Sequence, residues 1–166
     1  MNLILCGMMG AGKTTVGMKI AELSDRRWYD TDEVIVEKYG KIPEIFARYG
    51  EAHFRMLETE TVRSFSAMDG LVLSVGGGLV LKAENTEILR KNGKIVYLRA
   101  SLQTLAARLK ADGERPLLSG AESLQDKLER LLKERAPVYE SVADIVVDVD
   151  GKTPETIARE ILETIG

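Results

Sequence analysis

The sequence predicts an α/β domain with a five-stranded parallel sheet flanked by helices. Short apolar runs alternate along the chain with segments whose apolar residues recur at helical spacing. Strands with this continuous apolar character are typical of parallel sheets, because helices cover both faces of such a sheet. The chain has 166 residues, 45% of them hydrophobic, which suits one domain with a sizeable core. We therefore expect a single domain over residues 1–166.

Five apolar runs, most of them followed by glycine or aspartate, predict the strands. They are Asn2–Cys6, Arg27–Tyr29, Leu71–Val75, Ile95–Leu98 and Ile145–Val149. Eight helical patterns accompany them, at Lys13–Leu23, Glu33–Tyr39, Pro43–Arg48, Glu51–Met68, Ala83–Lys91, Leu102–Lys110, Leu124–Arg135 and Pro154–Ile165. The seventh is expected to end just before Ala136-Pro137. Right-handed crossovers bring the carboxyl ends of the strands to one edge of the sheet, where ligands bind.

The composition excludes several classes of function. Lysine and arginine number 23 against 26 acidic residues, a formal net charge of −3, which disfavours a sequence-independent nucleic-acid binder. No apolar run approaches the roughly 20 residues of a membrane helix, and no signal peptide is indicated. One cysteine, Cys6, excludes an internal disulfide. We expect a cytoplasmic monomer that binds neither nucleic acid nor membrane.

The strongest motif is a phosphate-binding loop. Residues 7–14 read GMMGAGKT and fit the pattern G-x-x-x-x-G-K-[ST] between a predicted strand and a predicted helix. Inward-facing backbone N–H groups and the helix N-terminus form an anion site in this motif. Lys13 reaches the β- and γ-phosphates, and the Thr14 hydroxyl suits Mg²⁺. The predicted cofactor-binding residues here are Gly10, Ala11, Gly12, Lys13, Thr14 and Thr15; a mere glycine-rich connection is the weaker interpretation.

Two carboxylates follow the second strand, at Asp30 and Asp32. Their position predicts that they emerge at the ligand edge of the sheet. One could bind Mg²⁺ through water while the other accepts a hydrogen bond from a substrate hydroxyl. The alternative is that Asp30 or Thr31 only caps the next helix. The pair by itself leaves both interpretations open.

Gly76-Gly77-Gly78 ends the third strand, and arginines stand at positions 55, 115 and 135. Three glycines let a ligand approach the backbone and offer N–H donors, although a flexible loop is the alternative. Arginine is preferred where a carboxylate or phosphate is held by two parallel hydrogen bonds. Each arginine taken singly also fits a solvated or ion-paired surface residue.

Together these features resemble the shikimate kinase family, nearly from end to end. The discriminating motifs are Asp30-Thr31-Asp32, Phe54-Arg55 with Glu58, Gly76-Gly77-Gly78, Arg115-Pro116-Leu117-Leu118, and Arg135-Ala136-Pro137 with Tyr139. The resemblance implies the P-loop kinase fold of the nucleoside-monophosphate-kinase type. It also implies phosphorylation of the 3-hydroxyl of shikimate by ATP with Mg²⁺, releasing ADP and shikimate 3-phosphate on the way to chorismate and the aromatic amino acids.

The resemblance further implies an acceptor site of eight residues. These are Asp32, Phe54, Arg55, Glu58, Gly76, Gly77, Gly78 and Arg135. By the resemblance, Asp32 holds the ring hydroxyls, including the one that is phosphorylated. Arg55 and Arg135 clamp the substrate carboxylate. Glu58 orients Arg55, Phe54 forms an apolar wall, and the glycines make backbone contacts.

On the nucleotide side, the resemblance implies that Asp30 reaches Mg²⁺ through water, beside Thr14. Arg108 and Pro154 resemble the residues on the two sides of the adenine, and Arg115 resembles the lid arginine that closes over the ATP phosphates. The implied substrate-binding segment spans about 31–62 and the implied lid about 111–123.

Lys13, Asp32 and Arg115 are the predicted catalytic residues. Phosphoryl transfer is mostly positioning and charge neutralisation, so Lys13 and Arg115 supply positive charge. Asp32 orients the hydroxyl and could also accept its proton. The alternatives are another small-molecule P-loop kinase such as a gluconate kinase, a nucleoside-monophosphate kinase, and a nucleotide-binding module without catalysis.

Overall fold

The computed structural model describes residues 1–111 and 123–166. Arg115 and residues 112–122 of the predicted lid lie outside the described residues. Among the described residues, no helix combines the length and apolar character needed to cross a bilayer.

Five parallel strands form one sheet in the order β2-β3-β1-β4-β5, so the predicted fold class is confirmed. The strands are β1 Asn2–Cys6, β2 Arg27–Asp30, β3 Leu71–Ser74, β4 Gly93–Arg99 and β5 Ile145–Asp148. Leu5 pairs with both Ser74 and Val96, and Ser74 pairs in turn with Asp30. This register brings the carboxyl ends of the three strands β1, β2 and β3 together, which is where the phosphate loop, the aspartates and the glycine triplet begin.

Eight α-helices occupy the described residues, one for each predicted pattern. They are α1 Lys13–Ser24, α2 Thr31–Tyr39, α3 Ile42–Tyr49, α4 Glu51–Phe65, α5 Ala83–Arg90, α6 Leu102–Ala111, α7 Leu124–Val142 and α8 Pro154–Ile165. A short 3₁₀ turn at Leu79–Leu81 follows the glycine triplet and was not predicted.

Helix α7 corrects one sequence prediction, because it passes through Pro137 and ends at Val142 rather than at Arg135. An internal proline costs a helix about 3 kcal/mol through a lost hydrogen bond and a steric clash. Beyond Pro137, however, the helix buries Tyr139 completely, and such tertiary burial outweighs the local penalty. As a result, Arg135 and Tyr139 lie one turn apart on the same face of α7.

The main core lies between the sheet and its covering helices. It includes Leu3, Leu5, Val72 and Val96, each with no measurable exposure. A second, smaller cluster lies within α2–α4 and consists of Ile35, Ile45, Phe54 and Leu57. The predicted substrate-binding segment therefore has apolar packing of its own, in addition to its contacts with the rest of the domain.

The start of α1 is fixed by a hydrogen-bond chain from the sheet. The buried Ser74 hydroxyl donates to the Lys13 carbonyl at 2.7 Å and accepts from Trp28 Nε1 at 3.0 Å. Gly17 leaves the room for this chain, because a Cβ at that position would lie 2.6 Å from Trp28 Nε1 and 2.7 Å from Ser74 Oγ. The phosphate-loop lysine is thus anchored through its own backbone carbonyl.

Substituting Gly17→Ala should destabilise the protein, because the added Cβ would push Trp28 and Ser74 away. Overpacking of this kind costs about 1–3 kcal/mol, more than the ~1 kcal/mol that alanine gains in a helix. Thermal unfolding should show a lower Tm for Gly17→Ala. The exposed neighbour Met18 supplies the control, since Met18→Ala should change Tm little. Equal Tm values for Gly17→Ala and the unsubstituted protein would contradict the packing argument.

Candidate active site

The phosphate loop forms an anion site at the N-terminus of α1. Gly12 is the N-cap residue in a left-handed conformation, with φ 97°, and no side chain caps the helix. The first turn of α1 contains no acidic residue. Lys13 Nζ donates to the Gly7 carbonyl at 2.8 Å, so the ammonium lies over the loop. Free helix N–H groups and an ammonium are the donors that a polyphosphate needs.

A cavity of about 430 Å³ opens beside this loop. Its lining includes seven of the predicted cofactor-binding residues, namely Gly10, Gly12, Lys13, Thr14, Thr15, Arg108 and Pro154. Arg108 also holds the loop, since its Nη1 donates to the carbonyls of Gly10 and Ala11 at 3.3 and 2.9 Å. Ile157, one helical turn after Pro154, lines the cavity as well and was missed. The sequence offered one signal for Ile157, because a residue one helical turn after Pro154 lies on the same face of the helix.

Burial lowers the pKa of Lys13, because the ammonium is removed from water. The negative charges of Asp32 and Asp30 oppose this shift. Anionic phosphates would supply further compensation. The desolvated cation at this position therefore favours the binding of an anion.

Asp30 uses its two carboxylate oxygens differently. Oδ1 accepts hydrogen bonds from the backbone N–H groups of Asp32 and Glu33, at 2.8 and 3.2 Å, and so caps α2. Oδ2 lies 3.4 Å from the Thr14 hydroxyl, which donates to it. Asp30, rather than Thr31, therefore caps α2, and its contact with Thr14 shows that capping is not its only interaction. The Thr14 and Asp30 oxygens also form a donor set of the hard type that Mg²⁺ prefers, so these residues fit the ion.

Gly76 is approached by two carboxylates. A Cβ at Gly76 would lie 2.8 Å from Asp32 Oδ1 and 3.2 Å from Glu58 Oε2. Both oxygens are buried, and neither has a hydrogen-bond partner within the described part of the chain. Buried polar atoms are nearly always hydrogen-bonded in native proteins. Two convergent acceptors without donors indicate a place for ligand hydroxyl groups.

The next two glycines are approached by guanidinium groups. A Cβ at Gly77 would lie 3.0 Å from Arg135 Nη1, and a Cβ at Gly78 would lie 2.5 Å from Arg55 Nη1. None of the three glycines has a positive φ, so backbone strain does not require glycine here. Glycine instead lets these charged side chains approach the backbone closely, since a Cβ would make them shift. The triplet is a packing surface for the predicted acceptor residues.

Burial raises the pKa of both carboxyl groups at this surface. For Asp32, the nearby Asp30 charge adds to the effect of burial, while Lys13 and Arg55 oppose it. For Glu58, the hydrogen bond from Arg55 opposes the effect of burial. Each carboxyl group is consequently a better proton acceptor than an exposed one.

Arg55 is held in place by Glu58, with 2.7 Å between Arg55 Nη1 and Glu58 Oε1. Glu51 adds a longer contact at 3.5 Å from Nη2, and the guanidinium carbon lies 5.4 Å from the Phe54 ring centroid. Phe54 itself is buried in the second apolar cluster, with the Phe46 ring 4.9 Å away. The Arg55 guanidinium, a group that can form two parallel hydrogen bonds with a carboxylate, is thus held in a fixed orientation.

Comparison with known proteins identifies the family. The family model described as shikimate kinase matches residues 9–166. A shikimate kinase from Sulfurihydrogenibium sp. is 42% identical over 165 residues, which cover 99% of this chain and 97% of that relative. The chain belongs to the shikimate kinase family. It is thereby a phosphotransferase that acts on an alcohol group with ATP as co-substrate, and it belongs to the shikimate pathway.

Solved structures agree with membership of the shikimate kinase family. Shikimate kinase from Acinetobacter baumannii in complex with shikimate superposes with a TM-score of 0.90 at 40% identity, covering 99% of this chain and 92% of that chain. Shikimate kinase from Bacteroides thetaiotaomicron gives a TM-score of 0.89 at 32% identity, covering 99% and 97%. A sugar kinase from Janibacter sp. shares the fold at 14% identity and a TM-score of 0.58.

Two further residues of this site make contacts that the sequence did not predict. Thr31 is fully buried, and its hydroxyl accepts from the Gly76 N–H at 3.2 Å. Tyr139 donates to the Gly77 carbonyl at 2.6 Å. Both lie inside motifs that the sequence analysis quoted, next to Asp32 and one turn after Arg135. Their contacts depend on tertiary structure, which local patterns do not reveal.

Replacing Asp32→Asn should stabilise the protein at neutral pH, because a raised pKa means that the folded state disfavours the ionised carboxyl. That penalty is complete above the folded-state pKa and disappears below the unfolded value near 3.8. Thermal unfolding should show a Tm higher by a few degrees at pH 7, on the order of a 1 kcal/mol gain. The gain should shrink as the pH falls toward 4.

The control for this experiment is Glu60→Gln, at an exposed position in the middle of α4. It should change Tm little at either pH. A lower Tm for Asp32→Asn at pH 7, or a gain that does not vary with pH, would contradict the electrostatic argument.

Proposed function

We propose that the chain transfers the γ-phosphoryl group of ATP to the 3-hydroxyl of shikimate, giving shikimate 3-phosphate and ADP, with Mg²⁺ as the metal. The observation that supports this most strongly is the convergence of two guanidinium groups and two unpartnered carboxylate oxygens on the glycine turn. Shikimate carries a carboxylate and three hydroxyl groups, which match these cations and acceptors. The relative from A. baumannii is in complex with shikimate.

Arg55 and Arg135 would bind the shikimate carboxylate. Both are half-buried, and Glu58 already fixes Arg55 in a defined orientation. An acceptor without a carboxylate would leave the N–H groups of Arg135, and those that Arg55 does not use on Glu58, without a substrate partner in a half-buried site, which is costly. This pair therefore favours shikimate over neutral polyols.

Asp32 would bind the hydroxyl that is phosphorylated. Its Oδ1 is buried without a donor among the described residues, and the Oδ1 position lies beside Gly76 at the edge of the phosphate loop. A hydrogen bond from the substrate hydroxyl satisfies this oxygen and aligns the nucleophile for in-line attack. The raised pKa of Asp32 suits it to take the hydroxyl proton as the bond to phosphorus forms.

The nucleotide would lie in the 430 Å³ cavity, with its phosphates on the N-terminus of α1 and Lys13. Arg108 and Pro154 would flank the base. Thr14 and Asp30 would hold Mg²⁺, which neutralises phosphate charge when it is bound. Arg115, outside the described residues, is proposed from the family resemblance to contact the phosphates. Lys13 stabilises the charge that develops on the transferred group.

A coupled assay of ADP release tests the proposed reaction. Purified protein with ATP and Mg²⁺ should turn over with shikimate and show only background rates with gluconate or nucleoside monophosphates. These two acceptors represent the alternative P-loop kinases. Absence of shikimate-dependent turnover would refute the proposal. A preference for gluconate would identify the protein as a gluconate kinase instead.

Replacing Arg135→Ala should raise the KM for shikimate by about 10- to 100-fold, because a charged hydrogen-bonding partner of the substrate is removed. Steady-state kinetics with varied shikimate measure this effect. Affinity for ADP, measured by calorimetry, should change less than about twofold.

The control is Arg63→Ala, which removes an exposed arginine paired with Glu84 on the outer face of α4. It should leave both quantities unchanged. If Arg135→Ala lowered the affinity for ADP as much as that for shikimate, the assignment of Arg135 to carboxylate binding would be wrong.

A further inference from the structure

We propose that the Tyr139 hydroxyl is the positioning group of the acceptor site, because it holds the Gly77 peptide in place beside the Arg135 guanidinium. The proposal rests on the proposed function for its substrate. It assigns to Tyr139 a role in the KM for shikimate, without contact between Tyr139 and the substrate itself.

Tyr139 is a buried residue whose hydroxyl reaches the glycine turn. Its side chain has no measurable exposure, and its hydroxyl donates to the Gly77 carbonyl at 2.6 Å. A Cβ at Gly77 would lie 3.5 Å from Tyr139 Oη and 3.0 Å from Arg135 Nη1. The hydroxyl and the guanidinium therefore meet over the same glycine. A buried tyrosine hydroxyl needs such a partner, whereas phenylalanine would fill the same space without one.

The hydrogen bond to Gly77 fixes the next peptide N–H as well. The peptide is trans and planar, so the Gly77 carbonyl and the Gly78 N–H point in opposite directions. With the carbonyl held on Tyr139, the Gly78 N–H faces away from α7. Within residues 1–111 and 123–166, no acceptor pairs with this N–H, although Gly78 is buried. It is thus a donor available to a ligand at the predicted acceptor site.

Glycine makes this anchor necessary. Three successive residues without Cβ have more backbone freedom than any other tripeptide, so their orientation depends on hydrogen bonds. Thr31 holds the N–H of Gly76, and the Gly76 carbonyl accepts from Leu79 at 3.1 Å. The peptide between Gly77 and Gly78 is held by Tyr139. Loss of that one hydrogen bond would free the central peptide of the turn.

The Arg135 guanidinium lies beside the Tyr139 hydroxyl, since both approach Gly77. Burial raises the pKa of Tyr139 to about 12, and the positive charge of Arg135 opposes that shift. The hydroxyl is therefore protonated at neutral pH and available to donate to the Gly77 carbonyl. A Gly77 peptide held by Tyr139 gives Arg135 a fixed neighbour at the turn.

The test compares Tyr139→Phe with Tyr97→Phe in steady-state kinetics. Tyr97 is a matched control because its ring is buried and packs on Tyr139, with 5.0 Å between centroids, and it belongs to neither substrate site. We expect Tyr139→Phe to raise the KM for shikimate about tenfold, with the KM for ATP within about twofold of the unsubstituted value. Tyr97→Phe should match the unsubstituted protein. An unchanged KM for shikimate in Tyr139→Phe, or equal rises in both KM values, would overturn the proposal.

A second measurement needs no substrate. Amide NMR signals of Gly77 and Gly78 should shift, and their exchange with solvent should accelerate, in Tyr139→Phe but not in Tyr97→Phe. Failure of the unsubstituted protein to use shikimate would overturn the proposed function alone. The amide signals would then decide the role of Tyr139, and unchanged signals in Tyr139→Phe would overturn it.

Discussion

The proposed acceptor site depends on the close approach of charged side chains to the backbone of residues 76–78. Asp32 and Glu58 approach Gly76, Arg135 approaches Gly77, and Arg55 approaches Gly78, so closely that an added Cβ would make these side chains shift. These side chains come from α2, α4 and α7, which are distant in sequence. The glycine backbone that follows β3 has no side chains, so these four side chains can all pack against it. A methyl group at any of the three positions would displace a charge from its place.

This packing carries an electrostatic cost that ligands can offset. Burial lowers the pKa of Lys13 and raises those of Asp32 and Glu58, so each charge is less favourable here than in water. Active sites commonly sacrifice stability in this way for function. The protein as a whole has a net charge of −3, yet its cleft gathers Lys13, Arg55 and Arg135. Local cations in a low-dielectric cleft concentrate the field where anionic ligands bind.

The spacing of apolar residues and the positions of glycines predicted the sheet, its helices and the phosphate loop, because these features depend on local sequence. The end of α7 was predicted wrongly, since burial of Tyr139 is a tertiary effect that exceeds the local cost of Pro137. The meeting of Arg55 and Arg135 at one turn also needed the structure, because local spacing does not relate residues 80 positions apart. The family resemblance predicts the roles of Arg55, Arg135 and Arg115, and all three roles stay predictions.

The two oxygens of Asp30 have a thermodynamic consequence. A carboxylate is rigid and planar, so a rotation that moves Oδ2 relative to Thr14 also moves Oδ1, which caps α2. The first turn of α2 carries Asp32, the residue that faces the acceptor turn. Nucleotide binding beside Thr14 and acceptor binding beside Asp32 would therefore both act on the first turn of α2, which Asp30 caps. Any free energy of coupling that this element transmits is reciprocal, so each ligand changes the affinity for the other by the same factor.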